Sequence, residues 1–80
     1  MQLQLIAYGI ARDIFGHSQL AFSLKKGQSV AELKQALIEQ YPEFDRLASL
    51  RFAVGEEYRS NDYTLSENDE VVIIPPVSGG

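Results

Sequence analysis

The sequence predicts a small α+β domain in which one main helix packs on one face of a mixed β-sheet. Alternating apolar residues indicate strands near the start of the chain, and a capping motif followed by helically spaced apolar residues indicates a helix further on. A run of β-branched residues then indicates a buried strand before the C-terminal tail. Eighty residues, 45% of them hydrophobic, are enough for one core and exclude a second independent domain.

The opening residues alternate, which places Leu3 and Leu5 on one face of a first strand and Ile6 and Tyr8 on the other. Gly9 ends this strand.

The next segment, residues 10–15, is predicted as a short helical or irregular stretch that leads to a turn at Gly16. Residues 18–24 alternate again and predict a second strand, antiparallel to the first.

A capping box gives the clearest local signal, because the Ser29 hydroxyl and the Glu32 carboxylate can each accept a hydrogen bond from the other residue's backbone N–H. The main helix therefore begins at Val30. Pro42 ends it, since a proline disfavours helical geometry at the residue before it. Residues 43–50 keep apolar side chains at three-residue spacing and predict a short second helical segment on the core.

The last part of the domain is predicted to be a hairpin of residues 51–54 and 57–60, followed by a strand over residues 71–74. The β-branched side chains of this last strand point to both faces, which places it in the centre of the sheet.

No helix is predicted for the second face of the sheet. Ile6, Tyr8 and half of the apolar residues of the last strand, Ile74 among them, would lie there uncovered. An uncovered apolar patch on a small acidic protein indicates a docking surface.

Composition excludes several functions. Eleven acidic against seven basic residues give a net charge of −4, which argues against a nucleic-acid ligand and favours a partner with positive surface. The longest apolar stretch is too short to span a membrane. With no cysteine and only His17, no metal site is expected. The lack of cysteine and of a signal-peptide pattern predicts a cytoplasmic location.

The composition of the chain changes at the C-terminus. Residues 1–74 are therefore predicted as the domain, and residues 75–80 as an extended, projecting tail. Pro75 and Pro76 cannot donate ladder hydrogen bonds and end the last strand. Gly79 and Gly80 have no side chains, so they can enter a channel too narrow for other residues, with the terminal carboxylate as the reactive group. Two terminal glycines taken alone would be a disordered end.

The context of those glycines resembles the ubiquitin-like sulfur carriers, especially the small subunits of molybdopterin synthases. In that family an aspartate-glutamate pair, four apolar residues, Pro-Pro-Val, a small hydroxyl residue and Gly-Gly follow one another, and residues 69–80 fit this pattern throughout. Tyr8, the pair Arg12 and Asp13, and Gly16 resemble family residues near the start of the chain. The middle matches only in layout.

The resemblance implies a β-grasp fold with adjacent, parallel first and last strands, so that Tyr8 and Ile74 lie near the edge where the tail leaves. It also implies that Arg12 lies at the partner interface. Some relatives have an aromatic residue where this chain has Ile74, so Tyr8 is expected to be the main ring of the docking surface.

The resemblance further implies the chemistry of a carrier. An E1-like adenylyltransferase would use ATP to adenylate Gly80, and a sulfur donor, a sulfurtransferase or a cysteine desulfurase, would convert it to a thiocarboxylate. The chain would bind no cofactor and would not be an enzyme by itself. The large synthase subunit, within a heterotetramer, would pass the sulfur to precursor Z, the cyclic pyranopterin monophosphate. The tail residues in its channel would be Pro75, Pro76, Val77, Ser78 and Gly79.

Three alternatives remain open at this point. The chain is a thiamine-pathway sulfur carrier, a ubiquitin-like modifier joined to lysines through Gly80, or a β-grasp interaction module whose Gly-Gly has no chemistry. A carrier accumulates a free thiocarboxylate, whereas a modifier forms isopeptide conjugates of higher mass.

Overall fold

A computed structural model of the protein describes residues 1–47 and 49–75. Five strands, two α-helices and one 3-10 helix lie within these residues. Their order is β1 (Gln2–Ala7), α1 (Gly9–Phe15), β2 (Gln19–Ser23), α2 (Val30–Gln40), the 3-10 helix η1 (Pro42–Arg46), β3 (Arg51–Val54), β4 (Glu57–Arg59) and β5 (Glu70–Ile74).

The strands form one mixed sheet in the order β2-β1-β5-β3-β4. Strands β1 and β5 are parallel, and every other neighbouring pair is antiparallel. The central position of β5 follows from its β-branched sequence and is confirmed. The parallel β1 and β5 are the β-grasp arrangement that the resemblance implied.

The core lies between one face of the sheet and the helices. Strand β1 buries Leu3, Leu5 and Ala7 completely, so the predicted alternation is confirmed. The buried apolar residues from the rest of the chain include Ala11, Phe15, Phe22, Val30, Leu33, Leu37, Phe44, Phe52, Val54, Leu65, Val71 and Ile73. Because each strand sends alternate side chains into this layer, the remaining side chains lie on the opposite face.

The capping box at the start of α2 is present as predicted. The Glu32 N–H donates to the Ser29 hydroxyl over 3.4 Å, and the Glu32 carboxylate accepts from the Ser29 N–H over 3.0 Å. Hydrogen bonds from the Ser29 backbone and the Gln28 side chain hold the pKa of Glu32 below its ordinary value.

Two helical segments differ from the prediction in their bounds. Residues 10–15 do form a helix, but it already begins at Gly9, whereas α2 ends at Gln40, before Pro42 as predicted. The second helical segment is a 3-10 helix that covers Pro42–Arg46 and is shorter than residues 43–50. Pro42 ends α2 and at the same time begins this segment, because proline suits the first turn of a helix.

An aromatic cluster joins the ends of these helices. The ring centroid of Phe15 lies 5.0 Å from that of Tyr41 and 5.2 Å from that of Phe44, with the rings inclined at 74° and 60°. These ring contacts connect α1, the end of α2 and η1, three segments that are not joined to one another by β-sheet hydrogen bonds. Among the described residues, no helix has the length and apolar character needed to cross a membrane.

Candidate functional site

The sheet face opposite the core carries an apolar row that crosses four strands. The register pairs Ile6 with Val72, Val72 with Ala53, and Ala53 with Tyr58. Ile6, Val72 and Ala53 are half-buried, whereas the side chain of Tyr58 is 64% exposed. Within the described residues, no helix covers this row.

A second row lies beside the first, toward the end of β5. Ile74 pairs with Arg51. Tyr8 follows β1 with extended backbone (φ −128°, ψ 162°), continues the alternation of that strand and is 60% exposed. The Arg51 guanidinium lies 5.8 Å from the centre of the Tyr58 ring and links the two rows. We call the apolar side chains of both rows the sheet-face patch: Ile6, Tyr8, Ala53, Tyr58, Val72 and Ile74.

The structure adds two exposed apolar residues that the sequence reasoning did not select, Tyr58 and Ile10. Tyr58 is about as exposed as Tyr8, so the patch has a second exposed ring, and Tyr8 as the main ring for docking stays a prediction. The alternation of Glu57, Tyr58 and Arg59 indicated that the Tyr58 side chain lies on the opposite face of the strand from its two charged neighbours. Only the pairing of β4 with β3 places its ring beside Ala53. Ile10 is 43% exposed on α1, two residues after Tyr8.

The base of the tail lies over the start of α1. Pro75 is half-buried, and a Cβ atom built on Gly9 would lie 3.8 Å from its Cγ. Gly9 also has a φ of +54°, which residues with a side chain rarely adopt. The chain therefore leaves β5 beside Tyr8. The predicted tail residues Pro76, Val77, Ser78, Gly79 and Gly80 lie outside the described residues.

Charged groups border the two ends of the sheet-face patch. Arg12 is exposed on α1, and its backbone N–H donates to the Tyr8 carbonyl over 3.4 Å, so it lies one turn after Tyr8. With Arg51 it places positive charge at the end where the tail leaves. The other end opens into a groove of about 360 Å³ that is lined in part by Glu56 and Glu70.

This arrangement suits binding. The patch combines half-buried aliphatic side chains with exposed aromatic rings, the composition of the centre of many protein interfaces. In residues 1–47 and 49–75, no three side chains of the metal-ligating type come together. His17 is exposed and lies in the turn before β2. The described part of the site therefore supplies a surface, and the predicted chemistry depends on Gly80.

The architecture defines a ubiquitin-like β-grasp protein, and comparisons with known proteins agree. Residues 6–80 match the model of the ThiS family, and the chain belongs to this family. The molybdopterin synthase sulfur carrier subunit of Chlamydomonas reinhardtii is 34% identical over 83 residues, with 100% of both chains covered. The protein of the same name from Arabidopsis thaliana is 26% identical over 81 residues, which cover 100% of this chain and 84% of that protein.

Solved structures show the same fold. A protein-protein complex of subunits 1 and 2 of the molybdopterin-converting factor of Helicobacter pylori contains a chain with a TM-score of 0.67 and 20% identity, with 100% of both chains covered. The small archaeal modifier protein 1 of Haloferax volcanii has a TM-score of 0.81 and 14% identity, and the match covers 95% of this chain and 98% of that one.

Proposed function

We propose that this chain is the sulfur carrier subunit of a molybdopterin synthase and acts in molybdenum cofactor biosynthesis. One observation carries the proposal. The central strand β5 ends at Ile74 and Pro75 directs the chain out of the sheet, beside an uncovered apolar face and five residues before Gly80. The relatives named molybdopterin synthase sulfur carrier subunit support it over the full length of the chain.

The proposed chemistry first activates the Gly80 carboxylate, which is a poor electrophile. A carboxylate is a resonance-stabilised anion, so it needs a leaving group before sulfur can replace its oxygen. The Gly80 carboxylate attacks the α-phosphate of ATP on an E1-like adenylyltransferase, which releases pyrophosphate and forms an acyl adenylate. The persulfide sulfur of a sulfurtransferase or a cysteine desulfurase then displaces AMP and forms an acyl disulfide. A thiol reductant cleaves the S–S bond of this intermediate, is itself oxidised to a disulfide, and leaves the thiocarboxylate on Gly80.

The large synthase subunit is the proposed acceptor of this charged carrier. The sheet-face patch docks on it, with Arg12 at the rim, while residues 75–79 thread a channel that brings Gly80 to precursor Z. Threading suits a tail that ends in glycines, since they add no side chain to the width of the chain. The complex of two subunits in Helicobacter pylori supports this pairing by its fold and its description.

Intact mass spectrometry tests the proposal directly. The chain is incubated with ATP, the adenylyltransferase and a sulfur source, and we expect a gain equal to the replacement of one oxygen by one sulfur. A chain that lacks Gly80 is the matched control and should keep its mass. If the full chain is unchanged while a known carrier is converted under the same conditions, the proposal is wrong.

The same assay separates the alternatives. A ubiquitin-like modifier, which the fold likeness to the archaeal modifier keeps in view, would give higher-mass conjugates with isopeptide bonds to Gly80. A thiamine-pathway carrier would form the thiocarboxylate but would not pass its sulfur to precursor Z with the large subunit present. Formation of molybdopterin from precursor Z therefore decides between the two pathways.

A further inference from the structure

Strand β2 forms an open edge of the sheet, on the side of β1 that lies opposite β5, and its Gln19 pairs with Ile6 of the sheet-face patch. It is the first strand in the sheet order and pairs only with β1. Its five residues, Gln19–Ser23, include no charged residue and no proline. Proteins usually protect an exposed edge with such residues, so this edge is unprotected.

The register shows which backbone groups of β2 are free. Met1 and Leu24 exchange two hydrogen bonds, and the Ala7 N–H donates to the Ser18 carbonyl over 2.9 Å. In an antiparallel ladder, residue pairs that exchange hydrogen bonds alternate with pairs that do not. Leu20 and Phe22 therefore also direct their backbone N–H and C=O groups to β1. The N–H and C=O groups of the intervening residues therefore point away from the sheet, and these residues are Gln19, Ala21 and Ser23.

These outward groups have no backbone partner among the described residues. The residues themselves are exposed, so neither α1 nor a loop shields them. Three N–H donors and three carbonyl acceptors thus stand in line, as a β-ladder requires. Leu20 and Leu24 are half-buried on the helix side of this edge and can contact apolar side chains at alternate positions of an added strand.

The opposite edge of the sheet differs. Strand β4 has only three residues, Glu57–Arg59, and two of them are charged. Glu57 and Arg59 form an ion pair with a nitrogen–oxygen distance of 3.5 Å. A short strand with charged residues is a common form of edge protection, so the two edges are not equivalent.

Charge indicates what the open edge binds. No Asp or Glu occurs in residues 14–31, although the whole chain has eleven. Exposed Lys25 and Lys26 come after Leu24, just beyond the end of β2. A second copy offers no complementary charge within the paired strands, because antiparallel pairing of two β2 strands about Ala21 places Lys25 of one copy opposite His17 of the other. An acidic strand is complementary to this edge.

We propose that the β2 edge binds an extended, acidic segment of a partner protein by β-strand addition. The added strand runs antiparallel to β2 and pairs with Gln19, Ala21 and Ser23. Its N-terminal end then lies beside Lys25 and Lys26 and carries its acidic residues. This surface is distinct from the one proposed for the large synthase subunit, and it does not depend on sulfur transfer.

The test is an NMR titration of the full chain with a synthetic peptide, a short run of aspartates followed by alternating valine and threonine. We expect the amides of Gln19, Ala21 and Ser23 to shift and to gain protection from hydrogen exchange. The amides of Leu20 and Phe22 already bond to β1 and serve as internal controls. A peptide with lysines in place of the aspartates should bind at least about tenfold more weakly.

Ala21→Pro is the decisive variant, because it removes an outward N–H and no hydrogen bond to β1. We expect it to fold and to bind the peptide about tenfold more weakly. If Ala21→Pro does not fold, the wild-type chain with a peptide N-methylated at the pairing amides decides instead. The proposal is wrong if either change leaves the affinity unaltered, or if the largest shifts fall on the sheet-face patch. Concentration-dependent protection of β2 without peptide would identify a second copy as the occupant and would also overturn it.

Discussion

At the scale of single residues, Tyr8 carries the clearest prediction for docking. Its ring is 60% exposed at the end of the sheet where the tail leaves, so it contributes little to the core. Tyr8→Asp would place a charge against an apolar partner surface. We expect the affinity for the large synthase subunit to fall at least about tenfold, measured by calorimetric titration, while the thermal midpoint stays nearly unchanged.

Two further variants control this experiment. Gln35→Asp introduces the same charge at an exposed position of α2, on the helix side of the sheet. It should leave the affinity for the large synthase subunit unchanged. Ile74→Asp also enters the sheet-face patch, but Ile74 is half-buried in the central strand, so some loss of stability should accompany the loss of binding. If Tyr8→Asp and Gln35→Asp bind alike, the patch has been assigned wrongly.

Arg59 carries a prediction about stability. Its Nε–H donates to the Val54 carbonyl over 2.9 Å, and its guanidinium lies 4.6 Å from the centre of the Tyr63 ring. The side chain is 27% exposed, so these contacts are only partly screened by water. Arg59→Met keeps the aliphatic stem and removes both contacts, and we expect a loss of about 1–2 kcal/mol in urea unfolding.

Glu57→Gln is the matched control for Arg59. It removes the ion pair with Arg59 but leaves the hydrogen bond to Val54 and the Tyr63 contact in place. Glu57 is exposed, and exposed ion pairs contribute little, so the cost should stay below about 1 kcal/mol. Equal costs for the two variants would show that the ion pair is the main interaction.

At the scale of elements, the capping box determines where α2 begins. Ser29→Ala removes the acceptor for the Glu32 N–H, and we expect a loss of about 1 kcal/mol in urea unfolding. Ser29→Asn retains a capping oxygen and should recover most of this loss. If the alanine and asparagine variants are equally stable, the box contributes little to the start of the helix.

The same box predicts how stability depends on pH. The pKa of Glu32 is lowered in the folded chain, so its contribution is present above the ordinary carboxyl pKa and is lost as the pH falls through the lowered value. Glu32→Gln does not titrate. We expect the gap in urea midpoint between the wild type and Glu32→Gln to shrink on acidification. A gap that is constant from neutral to acidic pH would contradict the role of the carboxylate.

At the scale of the whole molecule, folding and function are predicted to separate at the C-terminal tail. Deletion of Gly80 moves the reacting carbon back by about 3.5 Å, far outside productive geometry. We expect molybdopterin formation to be abolished, while the thermal midpoint and binding to the large subunit are retained. Addition of a residue after Gly80 should be equally damaging, because it converts the carboxylate to an unreactive amide.

Gly79→Ala provides a graded control for this separation. It keeps the terminal carboxylate but adds a methyl group and restricts the backbone, so activity should fall without a change in docking. Retained activity in the Gly80 deletion would contradict the carrier function. A deletion that loses both folding and binding would instead show a structural role for the tail.

Much of the fold was predictable because local patterns and tertiary packing agree. The alternation of Leu3, Leu5 and Ala7 fixes the core face of β1, and the β-branched sequence of β5 indicates its central position. Helix boundaries were less predictable. Pro42 both ends α2 and begins η1, and Phe44 of η1 packs against Phe15, a residue distant in sequence that no local pattern identifies as its partner.

The sequence by itself determined the α+β class, the core faces, the start of α2 and the exit of the chain after β5. These features depend on side-chain periodicity, capping and proline geometry, which act between residues close in sequence. Only the tertiary structure decided that Tyr58 lies beside Ala53 and that the backbone of Ala21 faces outward. Both facts depend on the register between strands, which distant parts of the chain set together when they pair.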